Sequence, residues 1–346
     1  MTEQTTADAA AVESVTPREL KARIDADEDV FILDARSEGD FSEWRIEGEN
    51  VELVNYPYFQ LIEELPADLL DQLPGDQRIT VLCAKGGASE FVAEQLQAEG
   101  YDVDHLEDGM KGWARIYEAV ELDVDADARV FQYQRPSSGC LAYLVVSDGE
   151  AAVVDPLRAF TDRYVADVED LGEALTYAVD THVHADHISG LRELSAETGA
   201  TGVLPAAAAA RGVEYDVPYE TVEDGETLTV GDTEIGVVHT PGHTTGMTAY
   251  RVGDVLFTGD GLFTESVARP DLEDPEAAKD AAAVLYESLT EKVLTLPDET
   301  VVAPAHFSDA ATPAADGSYT ATLGDLKASM TALTMERDEF VEFILS

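Results

Sequence analysis

The sequence predicts an α/β protein of two domains, a small unit with a parallel sheet followed by a larger unit of sheets covered by helices. Three observations carry that reading. At 346 residues the chain exceeds what one hydrophobic core of ordinary size supports. Helix-like and strand-like segments alternate over residues 17–117, the pattern of a parallel sheet with crossover helices. From Arg129 onward, pairs of apolar runs are joined by Gly-Asp or Asp-Gly, a strong hairpin signal.

In the first unit, "TPRELKARIDA" opens like a capped helix, and "VFILDA" and "ITVLC" read as buried strands. "ASEFVAEQLQAEG" reads as a helix closed by Gly100. Residues 118–128, "EAVELDVDADA", have the acidic, turn-rich look of a linker, which places the domains at 15–117 and 129–346. In the second domain, "CLAYLVVSDGEAAVVD", "TLTVGDTEIGVVHT" and "MTAYRVGDVLFTGD" read as hairpins. Helices are expected between them at 162–172, 187–198 and 275–293, and "PAAAAARG" at 205–212 reads as an alanine-rich helix.

The charge balance is extreme, with 71 acidic against 21 basic residues and a net charge of −50. A nucleic-acid-binding surface is excluded as a reading, because phosphate contacts need clustered Lys and Arg. The acids are spread through segments with clear apolar periodicity, so they form the skin of a folded protein rather than a disordered tail. Such a skin self-repels at low ionic strength, which fits a salt-rich cytoplasm, as in a halophilic cell. No run of 18 apolar residues occurs to span a membrane, and "MTEQTTADAAAVESV" has neither the basic nor the apolar region of an export signal. A cytoplasmic location is expected. Two cysteines, Cys83 and Cys140, are too few for a disulfide framework and suit a reducing compartment.

Histidines are scarce but clustered. Three of the seven, His182, His184 and His187, fall in "THVHADH" with Asp186 among them. Four strand-like segments of the second domain end in potential metal ligands: "ALTYAVDTH" in His182, "TEIGVVHTPGH" in His243, "DVLFTGD" in Asp260 and "ETVVAPAH" in His306. Ligands gather where strands end and loops begin, so these ends can converge on one site. His182 and His184, two residues apart on an extended segment, share a face and can flank one metal, while Asp186 and His187 point toward a second position. Imidazole with carboxylate suits zinc or iron, and the lack of a thiolate cluster argues against a structural zinc knot. His105 and His239 lie outside the pattern.

"HVHADH", "TPGHTTG", "FTGD" and "APAH", in that order over roughly residues 129–310, resemble the metallo-β-lactamase superfamily. The resemblance implies an αββα sandwich with a metal site along one edge. Within the superfamily "AVDTHVHADHISG" and "ARPDL" after "TGD" are most similar to the persulfide dioxygenases. That similarity implies His182, His243 and Asp260 as ligands of a mononuclear Fe(II). His184, Asp186, His187 and His306 match positions that hold a second metal in dinuclear zinc hydrolases, and would be outer groups in an iron enzyme. Arg269 would anchor an anionic substrate and Tyr143 would offer it a hydrogen bond. The rival is a glyoxalase II (hydroxyacylglutathione hydrolase) thioesterase with two Zn(II). Spacing alone does not choose between them.

In the first domain, "ITVLCAKGGASEFVAEQL" places Cys83 at a strand end, before a glycine-containing loop and a helix start. Backbone N–H groups and a helix N-terminus lower a thiol's pKa and can cradle an anionic persulfide, which suits a nucleophile. "FILDARSEGDFSEWRIEGENV" and "GYDVDHLEDGMKGW" around it resemble the rhodanese family, which implies sulfurtransferase chemistry on Cys83. Many rhodanese loops carry an Arg where this chain has Ala88, leaving Lys85 as the loop's cation; a non-catalytic binding or sulfur-relay module is the alternative. Cys140, at a strand start, reads as a buried structural thiol. Together the two resemblances imply a sulfur-metabolism enzyme whose partners are a low-molecular-weight thiol persulfide, dioxygen and a sulfane sulfur donor or acceptor. Self-association into a homo-oligomer is left open.

The acidic skin generates a test. As salt shortens the Debye length from ~10 Å at 0.1 M to ~3 Å at 1 M, self-repulsion weakens. The melting temperature should therefore rise steeply with potassium chloride; a flat profile from about 0.1 M to the molar range would contradict the salt-adapted reading.

Overall fold

The structure, a computed structural model, describes residues 11–183, 188–213, 215–270, 273–308 and 310–346. The chain divides into two compact units, the first ending at Ile116 and the second beginning at Tyr117.

The first unit holds strands β1 (Glu13–Val15), β2 (Val30–Asp34), β3 (Val51–Asn55), β4 (Ile79–Leu82) and β5 (Val103–Leu106) in one sheet of order β1-β5-β4-β2-β3. Every pairing is parallel. A parallel sheet is covered on both faces, which is why β2 and β4 are continuous apolar runs buried at every position. Phe31, Leu33 and Val81 pack on Val92 and Leu96 of the helix Gly87–Ala98, while Ile32 and Leu82 pack on Leu20, Met110 and Trp113. The helix Pro17–Asp25 opens with a capping box, Thr16 and Glu19 each satisfying the other's backbone N–H.

The second unit contains two sheets. Strands β6 (Glu118–Glu121), β7 (Arg129–Arg135), β8 (Cys140–Ser147), β9 (Glu150–Val154), β10 (Ala174–Val179), β11 (Thr201–Pro205) and β12 (Tyr219–Val222) form one, in the order β12-β11-β10-β9-β8-β7-β6. Strands β13 (Thr227–Val230), β14 (Thr233–His239), β15 (Thr248–Val252), β16 (Val255–Gly259), β17 (Val301–Pro304) and β18 (Ala321–Thr322) form the other, in sequence order. The β8–β9, β13–β14 and β15–β16 pairs are antiparallel hairpins, as the Asp-Gly and Gly-Asp turns predict. The inner faces meet in one core, with Val130, Tyr143, Val145 and Val154 from the first sheet against Ile235, Val237, Tyr250 and Phe257 from the second. Outer faces are covered by helices, the first by Thr161–Leu171 and Leu191–Thr198 through Tyr164, Val168 and Leu194, the second by Ala278–Ser288 and Arg337–Ile344 through Leu285 and Phe340. This layering is the expected αββα sandwich.

Local differences have physical causes. Residues 118–121 of the expected linker form the edge strand β6, antiparallel to β7, and Leu122 after it is buried in the inter-sheet core. The acidic composition that suggested a linker is that of a charged sheet edge. The alanine-rich segment is helical only over Ala206–Ala209, because Pro205 ends β11 immediately before it. The helix expected from 275 begins at Ala278 and finishes in a π-helical turn, Leu289–Val293. Among the described residues no helix is long and apolar enough to cross a membrane.

Candidate metal centre

Strand ends from both sheets meet at one edge of the sandwich. His182 follows β10, Asp260 follows β16, His306 follows β17, and His243 sits in the loop between β14 and β15. Gly242 and Gly259 make the approach feasible. At Gly259, φ is +54° and a Cβ would lie 2.6 Å from Thr181 Oγ1; at Gly242, φ is +142° and a Cβ would lie 2.5 Å from Leu285 Cα.

His182, His243 and Asp260 are buried and bring three ligand atoms within 4.8 Å of one another. His182 Nε2 is 3.5 Å and His243 Nε2 3.7 Å from Asp260 Oδ2. Donors at ~2.1 Å from one ion stand roughly 3.0–3.5 Å apart, so the two imidazole–carboxylate separations are close to those of a shared metal. The tautomers agree with that use. Thr181 donates its hydroxyl proton to Asp155, whose oxygens lie 3.0 and 2.9 Å away, so it accepts from His182 Nδ1 at 2.9 Å. The Thr181 N–H also donates to Asp155 Oδ1, at 2.7 Å. His243 Nδ1 donates to the Arg269 carbonyl at 3.0 Å. Each imidazole therefore turns an unprotonated Nε2 toward Asp260.

His306 stands on the other oxygen. Its Nδ1–H donates to Asp260 Oδ1 at 2.7 Å. Burial pulls the imidazole pKa down, but the bonds to Asp260 and Cys140 outweigh it and raise it to about 11. Burial likewise opposes charge on Asp260, yet the neighbouring His182 ring and the His306 hydrogen bond hold its carboxyl well below the usual range. Cys140, buried at the start of β8, pairs with His306 through a backbone bridge, and its thiol also lies against the His306 imidazole.

His184, Asp186 and His187 lie outside the described residues. The chain on either side of them is tied down: Ser189 Oγ donates to Asp180 Oδ1 at 2.8 Å, Arg158 N to the Ile188 carbonyl at 2.9 Å and Gly190 N to the Pro156 carbonyl at 2.6 Å. Arg269 contributes its backbone to the centre, while its side chain is exposed. Tyr143 differs from expectation. Its position on β8 points it into the inter-sheet core, where its hydroxyl donates to the Pro304 carbonyl at 2.6 Å and accepts from Gln132 Nε2 at 3.1 Å. It steadies the strand that leads to His306 instead of facing a substrate. His105 lies in β5, and His239 bonds to Asp224 and the Thr245 carbonyl, so neither joins the trio. Asp155 and Thr181 were not legible as functional residues; the one signal for Asp155 is its place just past β9 at φ +52°.

In the first unit Cys83 sits at the end of β4, nearly fully buried. Gly86 N–H donates to Sγ at 3.1 Å and Ser89 Oγ lies 3.4 Å away. Burial pushes the thiol up, but Ser89 and the N–H groups of Lys85, Ser89 and Gly86 bring it net below its ordinary value. Lys85 is exposed on the same loop and Ala88 is half-buried.

Comparison with known proteins follows the two units. The profile of the metallo-beta-lactamase superfamily matches residues 136–306 and that of the rhodanese-like domain residues 16–116. The human mitochondrial persulfide dioxygenase ETHE1 is 31% identical over 200 residues, covering 56% of this chain and 71% of that protein. The crystal structure of ETHE1 from Myxococcus xanthus is 31% identical with a TM-score of 0.54, covering 62% of this chain and 89% of that one. A hydroxyacylglutathione hydrolase from Rhodospirillum rubrum is 34% identical over 160 residues, covering 46% of this chain and 57% of that protein.

If the Asp155–Thr181 pair sets the His182 tautomer, Thr181→Val and Asp155→Asn should each weaken metal affinity by roughly 10–100-fold in a chelator competition. Tyr143→Phe should keep the metal and instead lose about 1–3 kcal/mol of stability, the cost of leaving a buried carbonyl without its donor. Wild-type affinity in Thr181→Val would contradict the tautomer assignment.

Proposed function

Because the chain belongs to the persulfide dioxygenase family, we propose that it oxidises the sulfane sulfur of a low-molecular-weight thiol persulfide to sulfite at a mononuclear iron(II) held by His182, His243 and Asp260. The observation that carries the proposal is the convergence of two Nε2 atoms and one carboxylate oxygen, the facial arrangement that leaves further positions open on non-haem iron. In the balanced reaction, RSSH, O2 and H2O give RSH and sulfurous acid, which ionises to sulfite. The sulfane sulfur loses four electrons, which dioxygen takes up, and the S–S bond breaks. When bound, the metal supplies a redox-active cationic centre at which persulfide and dioxygen are brought together.

The chain's own groups supply the rest. Thr181 and the Arg269 carbonyl hold the two imidazoles in their metal-binding tautomers. His306 keeps a proton on Nδ1 against Asp260 Oδ1, leaving Oδ2 for the metal. Arg269, exposed beside the His243 loop, suits an anionic substrate. The rival reading, a two-zinc thioesterase, rests on the likeness to the hydroxyacylglutathione hydrolase; it leaves the fused rhodanese-like domain without a task.

In that domain the Cys83 thiolate would attack a sulfane sulfur, form a new S–S bond and release the donor with the electron pair of the broken bond. The persulfide so formed carries the same sulfur that the metal centre oxidises. We infer a salt-rich cytoplasm as the setting for both reactions, a reading supported by the acidic composition.

Oxygen uptake with a thiol persulfide should depend on iron and vanish in His182→Ala, His243→Ala and Asp260→Ala, while His306→Ala keeps its metal and is milder. Hydrolysis of a thioester without oxygen uptake would favour the rival. Cys83→Ser should lose sulfur transfer to cyanide, and the gain of about 32 Da on the Cys83 peptide after exposure to a sulfane donor, yet keep oxygen-dependent turnover of free persulfide. Label on Cys140, or transfer surviving Cys83→Ser, would reduce the first domain to a binding module.

A further inference from the structure

We propose that Glu273 is a positioning residue for the metal centre, fixing the His243 loop through the Thr245 peptide and held in turn by Arg211. The inference rests on the reading of His182, His243 and Asp260 as a metal site, but not on the reaction performed there.

His243 is the one member of the trio carried in the middle of a loop, residues 240–247 between β14 and β15, rather than within three residues of a strand end. A ligand on a loop holds its geometry only if the loop is braced. Glu273 Oε2 accepts the Thr245 N–H at 2.5 Å, and Oε1 accepts the Thr245 hydroxyl at 3.1 Å. Arg211 Nε reaches the same Oε1 at 2.8 Å, with both side chains partly shielded from solvent. The next peptide is held too, for the Thr245 carbonyl accepts from His239 Nε2 at 3.0 Å. Four residues before Glu273, the Arg269 carbonyl accepts His243 Nδ1. One stretch of chain thus braces the loop at the ligand itself and again two residues beyond it.

Three donors converge on the two Glu273 oxygens, which only a carboxylate satisfies fully. A Gln would turn an NH2 group against one of them. Ala would release the Thr245 peptide and leave Arg211 without this partner, while the fold, whose core residues lie elsewhere, would persist.

The test loads the full-length metal-free protein with cobalt(II), whose visible d–d absorption reports ligand geometry, and times its removal by excess chelator. In Glu273→Ala the cobalt lifetime should shorten about 10-fold or more, with an altered d–d band, while the melting temperature of the metal-free protein stays close to wild type. Glu273→Gln should fall between the two. Arg211→Met should give a smaller loss, and adding it to Glu273→Ala should cost nothing further, because the pair acts as one unit. Wild-type cobalt retention and spectrum in Glu273→Ala would overturn the proposal. So would a metal-free melting temperature that drops as far as the loaded one, since Glu273 would then be an ordinary structural residue. Cobalt retention is read without turnover, so failure of the dioxygenase reading would show separately, as absent oxygen uptake in a protein that still shows the Glu273 effect.

Discussion

The second domain is organised around a buried negative charge. Asp260 lies almost fully out of water at the end of β16, where an isolated carboxylate would be costly. Its oxygens are shared out: Oδ1 takes the His306 proton and Oδ2 faces the Nε2 atoms of His182 and His243. That division is the constraint the surrounding parts serve. Two sheets must end at the same edge, glycines must let the loops close in, and Asp155, Thr181 and the Arg269 carbonyl must hold each ring so that a lone pair, not a proton, points inward. A cation between these donors would complete the charge balance that the His306 ring begins.

The same physical logic appears in another form in the first domain. Cys83 is buried, which opposes a thiolate, and the loop answers with backbone N–H groups and Ser89. Each site steadies an anionic group of the protein itself, a carboxylate at Asp260 and a thiolate at Cys83, in a chain whose overall charge is −50. An acidic surface repels anionic substrates at long range, so on the proposed reading capture of a persulfide would depend on short-range donors such as those of the Cys83 loop, and on salt to screen the rest. On the proposed reading, a carrier thiol and an oxidising centre on one chain would share an intermediate, which gives the fusion a chemical reason.

Much of this was legible because the signals were local. Gly-Asp and Asp-Gly turns announced the hairpins, and a histidine or aspartate soon after an apolar run announced each member of the buried trio. What failed depended on facts a linear reading lacks. β6 was hidden by its acids, which sit on a sheet edge and say nothing about pairing. Tyr143 was given to the substrate, but Leu141, Tyr143 and Val145 alternate inward on β8, so the side chain belongs to the core between sheets. Asp155, Thr181 and Glu273 stayed invisible because their place shows only in hydrogen bonds made in the folded chain, and a lone Asp, Thr or Glu carries no periodic signal. Arg269 matched its family motif, yet the contribution the structure displays is its carbonyl.

The central claim, that this edge of the sandwich is a mononuclear iron site, is tested most directly by elemental analysis of protein purified without added metal. The account predicts one iron per chain, lost from Asp260→Ala and retained in His306→Ala. Two zinc ions per chain, both lost when His306 is removed, would contradict it.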